Sequence, residues 1–345
     1  MKTILITGGA GFMGSNFVRH LYAKYPDYKL IVLDTLTYAG SVENLPVDLN
    51  KTDGGGRLIF WYGDVRNAEL VDSLVSQSDA VVHLAAETHV TRSIYDNLRF
   101  FETDVLGTQV VANAVLKYAN VVERFIHVSS SEVYGTALRE PMDEEHPLMP
   151  MSPYASAKAG ADRLVYSYWV TYGIPAVIVR AFNNYGPRQH LEKVIPRFVT
   201  SCILGEALRV HGNGKAERDW LFVEDFCKAL DLCLHCDIAP IRGEVINLGT
   251  GRSISVAAIA EMIVDRMGKP KSMITDVDDR PGQVFKHIAS TEKAERILGW
   301  KAKTRFEVGL DRVIDWYQNN RHWWEKQLFM RTIPITTAEG KKVLH

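Results

Sequence analysis

The run Lys2–Thr7 (KTILIT) leads directly into Gly8-Gly9-Ala10-Gly11-Phe12-Met13-Gly14, and this junction constrains the fold more than any other feature. The first segment is apolar and of strand length. From Phe12 onward apolar residues recur at helical spacing through Phe17, Val18 and Leu21. A strand that turns through glycines into a helix presents bare backbone N–H groups at the positive end of that helix, where a pyrophosphate binds. Gly8, Gly11, Phe12, Met13 and Gly14 are therefore candidate cofactor contacts. The next apolar run, Lys29–Leu33, ends in Asp34, at the spacing of about 20 residues where an acidic side chain meets the ribose of a dinucleotide. A carboxylate there accepts from the ribose hydroxyls and repels a 2′-phosphate, so the expected cofactor is NAD rather than NADP.

Further short apolar runs follow at Leu58–Tyr62, Ala80–Leu84, Arg124–Val128 and Ala176–Val179, with helical stretches at Leu98–Tyr118 and Pro153–Tyr172 between them. Strands alternating with helices predict an α/β fold, a Rossmann-type doubly wound parallel sheet. Ligands of such sheets bind beyond the carboxyl ends of the strands. Asp64, Val65, Leu84, Ala85 and Ala86 follow two of these runs and are expected to line the cofactor groove, with Thr37 just after Asp34. Beyond residue 180 the alternation loosens into turn-rich stretches, which predicts a smaller C-terminal α/β substrate lobe, with Val245–Leu248 returning to the main sheet. The expected division is 1–180 plus about 223–250 for the NAD-binding domain, and 181–222 with 251–345 for the smaller lobe.

Composition excludes several classes of function. Forty basic against 41 acidic residues leave a formal charge of −1, so no basic field exists to attract nucleic acid. No apolar stretch reaches membrane-spanning length, and the N-terminus has no signal-peptide pattern, so a cytoplasmic location is expected. Four cysteines do not form a disulfide framework, and no metal site is expected. Cys233 and Cys236 form a CxxC on a run of helical apolar spacing, which reads as small buried hydrophobes.

The candidate chemistry lies in Ser129-Ser130-Ser131-Glu132 and in Pro153-Tyr154-Ala155-Ser156-Ala157-Lys158. Tyr154 and Lys158 are four apart at a helix start, hence on one face. A lysine ammonium beside a phenol favours phenolate and is expected to lower the Tyr154 pKa, making it a usable base. The serines end a strand in the switch-point crevice, where a hydroxyl can hold both a substrate hydroxyl and the tyrosine.

The segments TGGAGFMG, DTLTYAG, HLAAETHVTRS, SSSEVYG, SPYASAK, NNYGP, EKVIP, RDWLFVEDF and DRPGQ occur in this order over nearly the whole chain. Together they resemble the sugar-nucleotide 4,6-dehydratases of the extended short-chain dehydrogenase/reductase superfamily. The resemblance implies a nucleoside-diphosphate sugar as substrate. Tyr154 would take the proton of the sugar 4-hydroxyl, Lys158 would hold the nicotinamide ribose, Ser130 would bind the 4-hydroxyl and Glu132 would remove the C5 proton. Thr88, Asn183, Lys193, Arg218 and Arg280 would hold the nucleotide sugar. A homodimer is implied through the two helices, which carry Phe100, Phe101, Val105, Val110, Val111 and Val115, and Leu164, Val165, Tyr168 and Trp169.

The chain departs from this pattern at Ser131, where the thymidine-linked enzymes carry an aspartic acid that protonates the departing water, and at Thr91, another aspartate position. The same Tyr/Lys/NAD site also serves UDP-glucuronate decarboxylation and 4-epimerisation, which stand as alternatives. A catalytically silent NAD-binding regulator stands as an alternative of another class. The base and the sugar are not specified, and the tail from Trp323 is expected to pack on the small lobe.

Overall fold

The computed structural model describes residues 2–47, 56–277, 283–331, 334–336 and 342–344. Seven strands, β1 (Thr3–Thr7), β2 (Lys29–Asp34), β3 (Leu58–Tyr62), β4 (Ala80–His83), β5 (Arg124–Ser130), β6 (Ala176–Ala181) and β7 (Val245–Leu248), form one parallel sheet in the order β7-β6-β5-β4-β1-β2-β3. The apolar runs of β1, β2 and β4 in the middle of the sheet follow from burial on both faces. Ile4, Ile6 and Val32 pack with Phe17, Leu21, Phe226 and Leu230 of the helices Phe12–Lys24 and Val223–His235. On the other face Leu5, Ile31 and Phe125 pack with Val71, Val111 and Val165 of Ala68–Val75, Gly107–Lys117 and Pro153–Tyr172.

The sheet reverses direction between β1 and β4. From β1 the chain proceeds outward to β2 and β3, then returns to β4 on the other side. The loops leaving β1 and β4 therefore part and open a crevice at the carboxyl ends.

A second core gathers Tyr185, Phe198, Trp220, Phe222, Ile259, Leu310 and Tyr317. It is enclosed by a three-stranded sheet of Asn183–Tyr185, Glu217–Phe222 and Ser253–Ser255 and by the helices Val194–Leu204, Val256–Arg266 and Phe306–Asn319. Trp323 and Trp324 are buried in this core. The Trp323 indole also donates to Asn44 Oδ1 (2.9 Å), tying the tail to the N-terminal half. The helix Glu292–Leu298, by contrast, places Ala294 and Leu298 in the core of the main sheet.

The expected helix at 98–118 is interrupted. Leu98–Phe100 runs into a π-helical segment, Phe101–Leu106, before Gly107–Lys117 resumes α geometry. Such wide turns gather at functional sites, and this one carries the buried Asp104. Phe100, Val111, Val115 and Val165 lie wholly in the chain's own core, so the apolar surface of these helices comes instead from Leu98, Phe101, Leu106, Tyr166, Val170 and Tyr172. Among the described residues, no helix is long and apolar enough to cross a membrane.

Candidate active site

The glycine turn requires its glycines. Gly8 has φ +68°, and a Cβ there would lie 2.6 Å from the Ala85 nitrogen. A Cβ on Gly14 would stand 2.2 Å from the Gly8 oxygen. The Asp34 carboxylate braces the turn, accepting from the backbone N–H of Ala10 (2.9 Å) and of Leu36 (2.8 Å). Burial pushes its pKa up against these hydrogen bonds. The turn and Asp34 form one end of a cavity of about 490 Å³ at the crevice between β1 and β4. Gly8, Gly11, Phe12, Met13 and Gly14 line it together with Thr37, Asp64 and Val65, and with Leu84, Ala85 and Ala86.

Ser130, Ser131, Glu132, Tyr154 and Lys158 line the same cavity. The helix bearing the last two starts sharply because Ser152 Oγ accepts from the Ala155 N–H (3.1 Å) and Pro153 occupies the first turn. Ser93 Oγ accepts from the Tyr154 N–H (3.0 Å), which fixes this first turn against the helix Val90–Tyr95. Ser130 Oγ accepts from the Glu132 N–H (3.2 Å) and so caps the turn that carries Glu132. The same side chain is hydrogen-bonded to the Tyr154 phenol.

The electrostatics correct one expectation. Burial pushes the Tyr154 phenol well up; the Ser130 hydrogen bond opposes this, and the charges of Asp104 and Glu132 add to it. The Lys158 ammonium, itself destabilised by burial, donates to the Val128 carbonyl (2.9 Å). Spacing on a helix puts Lys158 and Tyr154 on one face, but the groups acting on the phenol are Ser130, Asp104 and Glu132, and the loss of water around it dominates.

Beside Ser130 lies a second cluster. Ser131 is buried, with its Oγ 3.3 Å from His287 Nδ1, while His287 Nε2 lies 2.8 Å from the Gly135 carbonyl. Glu132 Oε1 is 4.0 Å from the same Nδ1 and 3.8 Å from Arg218 Nε. Sequence reasoning did not single out His287. Its contact with Ser131 spans 156 positions, and no local pattern marks it.

The opposite wall belongs to the second core. Asn183 and Thr88 reach the cavity, as do Lys193 and Arg218. Lys193 Nζ donates to the Thr88 carbonyl (2.9 Å) and lies 3.1 Å from the buried Glu192, which also accepts from the Tyr38 hydroxyl (2.9 Å). Arg280 lies outside the described residues. Three further arginines on this wall, Arg197, Arg209 and Arg331, were not anticipated. Burial lowers the Arg197 pKa, and the charges of Arg331 and Arg209 lower it further, as expected of cations gathered at one place. The signal was present for two of them. Arg197 follows Lys193 by one helical turn, and Arg209 alternates with His211 along the strand Leu208–His211 toward the same side.

Comparison with known proteins accords with this arrangement. The family model described as GDP-mannose 4,6 dehydratase matches residues 5–313. A dTDP-glucose 4,6-dehydratase of Streptomyces niveus is 41% identical over 328 residues, covering 93% of this chain and 94% of that protein. The low-salt glycan biosynthesis protein Agl12 of Haloferax volcanii is 43% identical over 315 residues, covering 91% and 98%. The crystal structure of a dTDP-glucose 4,6-dehydratase from Streptomyces venezuelae, solved with NAD bound, superposes with a TM-score of 0.88 at 41% identity, covering 94% of this chain and 99% of that one.

Proposed function

The chain belongs to the GDP-mannose 4,6-dehydratase family, and from that premise we propose that it is an NAD-dependent nucleotide-sugar 4,6-dehydratase that turns a nucleoside-diphosphate hexose into the 4-keto-6-deoxy sugar. The observation that carries this reading is the meeting of Ser130, Glu132, Tyr154 and Lys158 in one cavity with the glycine turn and Asp34.

NAD fits the residues present. A Cβ at Gly8 or Gly14 would overlap the backbone of Ala85 or of Gly8, so only glycine permits this tight turn, whose bare N–H groups can meet a pyrophosphate. Each Asp34 oxygen keeps a lone pair for a ribose hydroxyl beyond the backbone bond it accepts. Bound NAD supplies the hydride acceptor at C4 and the hydride donor at C6. The chain's own side chains manage the protons. Ser130 holds the sugar 4-hydroxyl and Tyr154, as its phenolate, takes the proton; the hydrogen bond from Ser130 favours that phenolate against the larger, opposing effect of burial. The resulting C4 ketone acidifies the neighbouring C5–H, and the Glu132 carboxylate removes that proton. The C6 hydroxyl then departs as water. Arg218, with Arg197, Arg209 and Arg331, faces the diphosphate, for which guanidinium forks are suited. Thr88, Asn183 and Lys193 hold the nucleotide sugar beside it, and Arg280 joins them on the strength of its sequence segment. In this reading 1–180 with about 223–250 serves NAD, and 181–222 with 251–345 serves the nucleotide sugar, a division that the two separate cores support except at Glu292–Leu298, whose Ala294 and Leu298 join the core of the main sheet.

The exposed Leu98, Phe101, Leu106, Tyr166, Val170 and Tyr172 support a homodimer through the two helices; a monomer at micromolar concentration in light scattering would count against it. The free thiols of Cys202, Cys227, Cys233 and Cys236 suit a reducing cytoplasm. Incubation with TDP-, UDP- and GDP-hexoses and mass detection tests the activity. Loss of one water, with solvent deuterium at C5 in D₂O, is expected. Loss of carbon dioxide from a uronate, or an unchanged mass with inverted C4, would replace this reading with decarboxylation or epimerisation.

A further inference from the structure

We propose that His287, by accepting the hydrogen of Ser131, makes Ser131 an acceptor for the substrate's C6 hydroxyl, so that Glu132 alone carries a proton from C5 to the departing C6 oxygen. The proposal rests on the dehydratase reading above and assigns the proton donor for water loss.

The hydrogen directions follow from the contacts. The Gly135 carbonyl can only accept, so His287 Nε2, at 2.8 Å, carries the ring hydrogen. In the neutral imidazole Nδ1 is then an acceptor, and Ser131 Oγ at 3.3 Å must donate to it. Burial holds His287 neutral, its pKa drawn down to about 4; Glu132 raises it, while Arg218 and His146 lower it. With its hydrogen directed at the imidazole, Ser131 turns oxygen lone pairs toward the cavity. A C6 hydroxyl meeting it donates, which leaves the C6 oxygen's own lone pair free to take a proton.

Among the described residues at this position, that proton has one suitable source. The Ser131 hydrogen is engaged by His287, and a serine alkoxide would be too unstable to form. The Arg218 guanidinium does not deprotonate. Tyr154 is engaged at Ser130 and the 4-oxygen. Glu132 remains. Its carboxylate takes the C5 proton, and the C5–H electron pair forms the C5–C6 double bond. The C6–O bond breaks with its pair on oxygen, and the oxygen takes the proton from the Glu132 carboxylic acid. Water leaves, the carboxylate is restored, and no outside acid is consumed. His287 touches neither substrate nor cofactor in this scheme; it is a positioning residue acting through Ser131.

The test uses the full chain with a nucleotide hexose that the wild type dehydrates. Ser131→Ala and His287→Phe should each slow water loss roughly tenfold, the scale of one hydrogen bond. Both should accumulate bound NADH, because oxidation at C4 is untouched. The double variant should be no slower than the slower single variant, since both changes remove one interaction. His287→Gln, whose amide oxygen can accept from Ser131 while its NH₂ faces Gly135, should recover most of the rate. Additive losses, or no rescue by glutamine, would make His287 a packing residue and overturn the proposal. Should His287→Phe fail to fold, Ser131→Ala alone decides: water loss at the wild-type rate sinks the idea. A wild type that dehydrates no nucleotide hexose instead refutes the dehydratase reading itself.

Discussion

Lys158 donates from Nζ to the carbonyl oxygen of Val128 across 2.9 Å, which anchors the helix Pro153–Tyr172 to the strand that delivers Ser130. Both residues are buried at the wall of the cavity. Lys158→Met should leave that carbonyl unsatisfied and cost about 1–3 kcal/mol in urea unfolding. It should also slow the first oxidation, read as bound NADH in a single turnover, because Tyr154 and Ser130 lose a shared support. A variant with full stability and full oxidation rate would show that the anchor is dispensable.

In the proposed mechanism Tyr154 and Glu132 act at different steps and should separate cleanly. Tyr154→Phe removes the group that accepts the 4-hydroxyl proton, so no reduced cofactor should form with any substrate. General-base catalysis is worth about 10²–10⁴-fold, which sets the scale of the loss. Glu132→Gln should spare oxidation and stop proton loss at C5, leaving a 4-keto sugar with NADH absorbance on the enzyme. If Glu132→Gln formed product at the wild-type rate, a 4-epimerase would become the better account.

The parallel sheet and the cofactor end of the site were readable because their signals are local. Ile4, Leu5 and Ile6 are apolar without alternation since both faces of β1 are covered, and Gly8 and Gly14 are glycines because no Cβ fits. What escaped depends on distance in sequence or on burial. His287 meets Ser131 only through the return of a remote segment. The raised Tyr154 pKa depends on how much water the folded cavity excludes, which the four-residue spacing to Lys158 does not encode. The apolar residues of the two helices were legible as a set, but the division into core (Phe100, Val111) and surface (Phe101, Leu106) turns partly on the π-helical segment.

Asp104 should make stability fall with rising pH. It sits in that π-helical segment with Oδ1 accepting from the Glu87 N–H (2.8 Å) and Oδ2 without a hydrogen-bond partner among the described residues. Burial pushes its pKa up to about 7, against the opposing charge of Lys158. The folded state therefore keeps a proton that the unfolded chain loses near an ordinary carboxylate pKa of about 4. Between about pH 4 and 7 this group alone should remove up to ~1.4 kcal/mol per pH unit, levelling off above. Asp104→Asn should flatten that slope and leave the protein more stable than wild type at pH 8, measured by urea midpoints across the range. An unchanged slope would mean that Asp104 ionises normally.

Asp231 has the opposite sign. It joins the helices Phe12–Lys24 and Val223–His235, its Oδ2 lying 2.7 Å from His20 Nε2 and 2.6 Å from Lys24 Nζ, and its Oδ1 2.8 Å from the Tyr25 hydroxyl and 2.7 Å from His235 Nδ1. Burial acts to raise its pKa, but the hydrogen bonds from His20, His235, Lys24 and Tyr25 together hold the carboxyl well below the usual range. A depressed carboxylate contributes stability that is present above its unfolded pKa of about 4 and is lost as pH falls toward the folded value. Asp231→Asn should therefore cost about 1–3 kcal/mol at pH 7 by leaving these donors poorly matched. The gap from wild type should close progressively below about pH 4, as the wild-type carboxylate is protonated in its turn. Lys24 is half exposed, so part of the effect should weaken in high salt. These helices cover the β1 face behind the glycine turn, so loosening them should also weaken cofactor retention, read as NAD lost on gel filtration. Equal stability of wild type and Asp231→Asn at pH 7 would show that the cluster only decorates the helix pair.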